Sequence, residues 1–215
     1  MSRKNLQIVG NLNLLERAIR SASDSSVVDQ IVVSSDDDEI LDFAQASNVT
    51  LSRRSGIASS SVATAEMVVD EFLGSPDGLR LGPNDYLVYL QPTSPFRMSQ
   101  HVYEALERLQ ASQNSSIVSV KKVSEFPEKT VGLDSSGNII PGSEWAGGST
   151  NRQMIGATYY PNGAIYAFSL AAYHEAGGFP VVGALAYEMG TISSIDIDTS
   201  EDLEIARGVA TYASI

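Results

Sequence analysis

Short apolar runs alternate along this chain with amphipathic stretches of helical period, and this alternation constrains the fold more than any other feature. Asp29 to Ser34 (DQIVVS), Tyr86 to Leu90 (YLVYL) and Ser116 to Val120 (SIVSV) are continuous apolar runs of strand length. Such runs suit strands buried on both faces. Between them, Leu12, Leu15, Ile19 and Ala22 recur at three- and four-residue steps, the signature of an amphipathic helix. Asp36 to Ala46 reads as a helix whose acidic first turn complements its dipole. Val62 to Leu73 reads as another, closed by Gly74 and Pro76. Ser99 is expected to cap a helix running to about Leu109, with Val102, Ala105, Leu106 and Leu109 on its inner face. Ala164 to Phe168 and Ser194 to Asp198 read as further strands. Thr199 and Asp202 are spaced as a capping box for a last helix. The rhythm implies an α/β fold: a mostly parallel, doubly wound sheet with helices on both sides.

The rhythm stops near Lys121. From there to about Thr158 the chain is rich in Gly, Pro, Ser and Asn, and Asp134-Ser-Ser-Gly-Asn138 is a hairpin signal. Residues 121–158 are therefore expected to leave the sheet as an excursion serving as a lid, a dimer contact or both, within a single domain spanning 1–215. At 215 residues, folding buries roughly 70% of the unfolded chain's surface, enough for a sizeable core. The net charge of −12 disfavours a nucleic-acid polymer as partner. It leaves room for a single nucleotide held by backbone N–H groups and a few cations. The chain has no cysteine, which excludes disulfides and thiolate metal sites. Its two histidines, His101 and His174, cannot build a His-rich zinc site, and both fall on predicted helices as structural or surface residues. No stretch approaches the roughly 20 apolar residues of a membrane span. The polar interruptions at Asn5, Gln7, Asn11 and Asn13 make a poor signal-peptide core. A cytoplasmic protein is the expectation.

The sharpest chemical feature is Ser194-Ile-Asp-Ile-Asp-Thr199. In an extended chain Asp196 and Asp198 point one way and Ile195 and Ile197 the other. Paired carboxylates at the carboxyl end of a sheet strand form a perch for magnesium. The same spacing also suits an Asp198 that helps cap the last helix and an Asp196 that is simply solvated. Gln91-Pro-Thr-Ser-Pro95 follows a buried strand. Its prolines fix the loop, and Gln91, Thr93 and Ser94 offer neutral donors and acceptors to a base, ribose or sugar, though an ordinary strand-to-helix turn would look alike. In Asn162-Gly-Ala-Ile-Tyr166, Gly163 permits close backbone approach, while Asn162 and Tyr166 are either ligand contacts or a turn residue and a core tyrosine. Arg152 and Lys129, in the excursion, are cations for a carboxylate or phosphate, or solvated surface charges. No Ser/His/Asp arrangement supports nucleophilic hydrolysis.

Taken in order, these segments resemble the acylneuraminate cytidylyltransferases (CMP-nonulosonate synthetases). The matching stretches are Arg3-Lys-Asn5, Ile31-Val-Val-Ser-Ser-Asp36, Leu90-Gln-Pro-Thr-Ser-Pro-Phe-Arg97, Arg152-Gln153, Pro161-Asn-Gly-Ala-Ile-Tyr166 and Ser194-Ile-Asp-Ile-Asp-Thr-Ser-Glu-Asp-Leu203. The resemblance implies transfer of CMP from CTP to the anomeric hydroxyl of a sialic-acid-type 2-keto sugar acid, a nonulosonic acid, with release of pyrophosphate. It implies Mg2+ at Asp196 and Asp198, and a catalytic role for both and for Lys4, which matches the end of the family's nucleotide-binding segment. Gln91, Pro92, Thr93, Arg152, Asn162, Tyr166 and Lys129 would bind substrate, and Arg3, Asn5 and Thr64 the nucleotide. It further implies a homodimer whose excursion, 121–158, exchanges contacts.

Three departures qualify these expectations. Family members open with a strand and an Ala-Arg-x-Gly-Ser-Lys loop that grips the triphosphate. Here only Arg3-Lys-Asn5 of that segment is present, so a truncated start or a real loss is expected. Each missing preorganised donor would cost about 10²–10³ in turnover. The family's Ala-Ser-Asp-Thr-Ala-Ser-Ser stretch appears as Ala58-Ser-Ser-Ser-Val-Ala-Thr64, with Ser60 at the acidic position. Tyr160 stands where an arginine is expected, and an aromatic cannot pair with a carboxylate. A catalytically degenerate relative that binds a ligand or partner is the alternative. Pseudaminate, legionaminate or the eight-carbon octulosonate remain alternative sugars.

Overall fold

The computed structural model of the chain describes residues 3–60, 62–123, 129–143 and 157–213. A short antiparallel ladder of Ile8–Val9 (β1) and Leu12–Asn13 (β2) opens the chain. Helix α1, Leu14–Ser23, follows because the Asn13 side chain accepts the Glu16 N–H at 2.8 Å and so sets the first turn. Leu12, read from the sequence as helical, therefore belongs to the ladder. Val32–Ser35 (β3) leads through α2, Asp38–Gln45, to Thr50–Arg53 (β4), and the two strands pair in parallel. Helix α3, Ala65–Leu73, precedes Tyr86–Tyr89 (β5), and α4, Ser99–Gln110, precedes Ser116–Lys122 (β6). The hairpin foreseen at Asp134–Asn138 joins Val131–Leu133 (β7) to Ile139–Pro141 (β8). Tyr159–Ser169 (β9), α5 (Leu170–Ala176), Leu185–Glu188 (β10) and α6 (Ser200–Ala213) complete the described elements.

The principal sheet has the order β10-β6-β9-β5. Strands β5, β6 and β10 share one direction, the parallel relation that the sequence rhythm implies, while β9 lies antiparallel between β5 and β6. Both faces are covered. Val102, Ala105, Leu106 and Leu109 of α4 pack with Val88, Leu90, Ile117, Ile165 and Ala167 on one side. Val69 of α3, Tyr173 of α5 and Phe179 pack with Leu87, Tyr89, Tyr166 and Phe168 on the other. Each side chain fully removed from water contributes roughly 1.5–3 kcal/mol, so these two layers dominate the sheet's stability. A third cluster gathers Leu14, Phe96, Leu203, Ala206 and Ala210 around the fully buried Ile197.

Two local expectations change. Ser99 is the first residue of α4 and not its cap; Met98 holds the extended cap position, and its N–H donates to His101 Nδ1 at 3.1 Å. Residues 194–198 form no strand among the described residues. Their alternation survives, because Ile195 and Ile197 pack into the third cluster while Asp198 lies exposed. The capping box at Thr199 and Asp202 is present, with Thr199 N–H donating to Asp202 Oδ2 at 2.8 Å and Asp202 N–H to Thr199 Oγ1 at 3.1 Å.

Candidate active site

The carboxyl ends of β3, β4 and β5 converge on one cleft, as ligand sites of open α/β sheets do. Asp36 follows β3, Arg54 follows β4, and Gln91 lies just beyond β5. With Ser59, Thr64 and Tyr89 they line a cavity of about 280 Å³, near the lower end of ligand clefts, roughly 300–1,000 Å³. Arg54 is held by its own backbone, whose N–H donates to Ser35 O at 3.0 Å. Its guanidinium reaches Asp36 at 3.6 Å, yet its Nε is buried without an acceptor. The Ser59 hydroxyl is likewise buried and unpartnered. Thr64 caps α3 by accepting the Met67 N–H at 3.4 Å. Unsatisfied donors on the wall of an open cleft are the groups a polar ligand would engage. Arg54 carried no distinguishing signal in the sequence, where it is one of 14 Lys and Arg residues.

A bulge shapes the adjoining wall. Val118 pairs with Tyr166 and Val120 with Pro161, so residues 162–165 of β9 lie opposite Ser119 alone. The Ser119 hydroxyl takes over the lost ladder bond, accepting the Ile165 N–H at 2.7 Å. Arg97 takes the freed Ala164 carbonyl at 2.9 Å and, through the same Nη1, the Gln91 carbonyl at 2.8 Å. The bulge thus brings β9 against the Gln91 loop. Gly163, at φ +77°, sits so close that a Cβ would lie 2.7 Å from Gln91 Oε1. Gly163→Ala is expected to lower unfolding free energy by about 1–2 kcal/mol from the left-handed backbone alone. Thermal denaturation checks this, at about 2–4 °C per kcal/mol for a chain of this size; an unchanged midpoint would refute the strain.

The acidic pair lies next to the loop that follows β5. Ile197 N–H donates to Thr93 O at 3.0 Å, stitching the Asp196–Asp198 segment to the loop that begins at Gln91 and Pro92. Asp196 Oδ1 is buried with no hydrogen-bond partner. The Tyr166 phenol is pushed up chiefly by burial, with the Tyr160 phenol and then the Asp196 carboxylate adding to it. Tyr89 is also pushed up by burial, and its side chain bonds to Gln91. Asp198 is 76% exposed at its side chain and pairs with Lys4 Nζ at 3.0 Å. Of the bland alternatives, helix capping by the Asp198 side chain is replaced by the Thr199–Asp202 box. Full solvation of Asp196 is excluded by its buried oxygen.

Other expected site residues are distributed unevenly. Asn162 is not open to the cleft: it is 5% exposed, and its carboxamide bonds to Ser119 and Ser194. Arg3 pairs with Glu39 at 3.0 Å on the surface. Asn5 lies in the 3-10 turn Lys4–Leu6. Lys129 sits on the excursion, and the described contacts do not join it to this group. Arg152 falls outside the described residues. Tyr160 is exposed at the excursion's root, with Lys121 Nζ 5.8 Å over its ring.

Carboxylates, a cation and neutral hydrogen-bonding groups at the strand ends make a polar cleft in an α/β fold. The solved structure of CMP:2-keto-3-deoxy-manno-octonic acid synthetase complexed with CTP shares that fold. Its TM-score is 0.68 at 12% identity, covering 99% of this chain and 93% of that one. A profile for the family described as cytidylyltransferase matches residues 1–135, and the chain belongs to that family. It is 28% identical over 201 residues to an N-acylneuraminate cytidylyltransferase of Streptococcus agalactiae, covering 93% of this chain and 47% of the relative. It is 29% identical over 204 residues to the CMP-N,N'-diacetyllegionaminic acid synthase of Legionella pneumophila, covering 93% and 85% respectively. The chain thus spans about half the length of the N-acylneuraminate cytidylyltransferases it matches, 47% of the Streptococcus agalactiae protein.

Proposed function

We propose that the chain is a cytidylyltransferase that transfers CMP from CTP to a sialic-acid-type 2-keto sugar acid. The observation that carries this reading is the buried, unpartnered Asp196 Oδ1 beside the Gln91 loop, in a chain that belongs to the cytidylyltransferase family. An acceptor left without a donor out of reach of water is costly, and a divalent cation would satisfy it. In this reading Asp196 and Asp198 would hold Mg2+. No group of three or more His, Cys, Asp or Glu among the described residues could hold a metal, and magnesium commonly needs only one or two carboxylates plus substrate phosphates. Bound there, the ion would neutralise charge on the phosphate oxygens.

The chain's own groups then divide the work. Arg54, Thr64 and the Ser59 hydroxyl take the nucleoside side of CTP in the cleft, and Arg3 and Asn5 are proposed as further nucleotide contacts. Lys4, held by Asp198, meets the phosphates. Gln91, the Pro92–Thr93 turn and Tyr166 orient the sugar acid, and Lys129 and Arg152 are proposed as further sugar contacts. The sugar's anomeric oxygen attacks the α-phosphorus, the bond to the bridging oxygen breaks, pyrophosphate leaves and the hydroxyl proton passes to water. Positioning and charge neutralisation supply the rate.

A homodimer built through residues 121–158 and a cytoplasmic location, where CTP is made, belong to the same proposal. No helix among the described residues is long and apolar enough to cross a membrane. Incubation with CTP, Mg2+ and N-acetylneuraminate, legionaminate, pseudaminate or octulosonate tests the reading, with pyrophosphate and CMP-sugar as readouts. Equal amounts of both products with one sugar are expected. Ser60 on the cleft wall and Tyr160 at the arginine position favour a second reading, a ligand-binding relative without turnover. Calorimetric binding of CMP or a sugar acid, with no pyrophosphate from any of the four sugars, would establish that second reading instead.

A further inference from the structure

The Asn162 carboxamide has a fixed orientation. Its Oδ1 accepts the Ala164 N–H at 3.2 Å, and a backbone N–H can only donate, so the oxygen faces that way. The Ser119 hydroxyl lies 2.5 Å from the same oxygen. The Nδ2 group must then donate to Ser194 Oγ, at 2.8 Å. Ser194 in turn donates to the Met189 carbonyl at 3.4 Å, while its N–H is taken by Gly190 O at 3.0 Å. Ser119 and Ser194 are buried, at 0% and 3% exposed. The network therefore joins β6 and the β9 bulge to the turn that delivers Asp196, two residues beyond Ser194.

We propose that Asn162 and Ser194 form a positioning pair that fixes the Asp196 segment, and that Asn162 serves the carboxylate side of the site and not the sugar. A residue whose oxygen is held by Ser119 and Ala164, and whose nitrogen is held by Ser194, is committed to the fold. A ligand would have to displace one of those buried bonds to reach it. The Asp196 segment has no sheet ladder of its own. Its place depends on the Ile197–Thr93 bond, the Ile197 side chain and this network. The kinetic arm below rests on the cytidylyltransferase reading; the exchange arm does not.

The test compares Asn162→Ala and Ser194→Ala with the wild-type chain. Hydrogen exchange of the peptide covering residues 191–198 should accelerate about tenfold in both variants, as local opening becomes easier. In turnover, both should lower kcat by about tenfold or more, the usual effect of removing a group that orients a ligating carboxylate. KM for the sugar acid should stay within about twofold, because uniform substrate binding is untouched. The double variant should cost less than the sum of the two single changes, since both break the shared Asn162–Ser194 bond. Unchanged exchange in both variants overturns the proposal. So does a raised sugar KM in Asn162→Ala alongside a wild-type Ser194→Ala, the pattern of a direct sugar contact. If Asn162→Ala does not fold, Ser194→Ala, which removes a single hydroxyl, carries the test. If the wild-type chain turns over no sugar, the exchange arm decides alone, and only the functional reading has failed.

Discussion

Asp196→Asn is expected to cut pyrophosphate release by at least about 10²-fold, because in the proposed site this carboxylate would hold the magnesium ion that neutralises charge on the reacting phosphates. The same substitution should leave the chain as stable as the wild type or slightly more so. Asp196 Oδ1 is buried without a partner, and such an orphan costs roughly 1–3 kcal/mol. An asparagine of the same shape removes the charge that makes the orphan expensive. Opposite signs for activity and stability distinguish this result from simple unfolding. Asp198→Asn supplies the contrast, because its carboxylate is exposed and its pairing with Lys4 is a surface ion pair. Such pairs contribute about 0–1 kcal/mol, so its stability should scarcely change. Thermal denaturation and a coupled pyrophosphate assay measure both quantities. Near wild-type turnover in Asp196→Asn would remove the basis for placing catalysis at this carboxylate.

What the sequence disclosed follows from which forces act locally. Val32–Ser35, Tyr86–Tyr89 and Ser116–Lys122 were legible from their apolar runs, although of the three only residues 116–120 are buried throughout and Tyr86–Tyr89 is partly exposed. Thr50–Arg53 and Leu185–Glu188 were not, since four-residue strands with half their side chains exposed read like loops. At Ser194–Asp198 the alternation was right and the strand was wrong. Periodicity reports which side chains face the core, and Ile195 and Ile197 do, but it is silent on whether a neighbouring strand supplies a ladder. Lys4 and Asp198 meet across 194 positions of sequence, a proximity that no local pattern could announce. Asn162 was picked out by its neighbour Gly163, and its inward commitment became visible only with the bulge opposite Ser119. Arg54 could not be singled out at all, because its meaning comes from three strand ends meeting in space.

Arg97→Met is the second large effect, and it separates what stability wants from what the site needs. Arg97 is 3% exposed and forms no ion pair with a carboxylate among the described residues. Nε donates to Ser21 Oγ at 3.0 Å and Nη1 to the Gln91 and Ala164 carbonyls, while Nη2 is unpartnered. Burial pushes its pKa down to about 9. At about 1.4 kcal/mol per pH unit, that is a folding cost on the order of 5 kcal/mol at neutral pH. Replacement by methionine removes this cost but forfeits three hydrogen bonds from a charged donor, each about 1.5–3 kcal/mol. The two largely offset, so the variant should lie within about 4 kcal/mol of the wild type at pH 7. Above pH 9 they diverge. The native state then releases the proton while the unfolded chain keeps it, so the unfolded state binds more protons and wild-type stability rises with pH. The variant lacks that rise, and the gap should widen by about 1.4 kcal/mol per pH unit. Turnover should fall by about 10²-fold, because Gln91 and the β9 bulge lose their shared anchor and a displacement near 1 Å has that effect. Chemical denaturation at pH 8, 9 and 10 beside the pyrophosphate assay tests both halves. Parallel stability curves would show that no buried cation is being titrated, and unchanged turnover would show that the anchor does not shape the site.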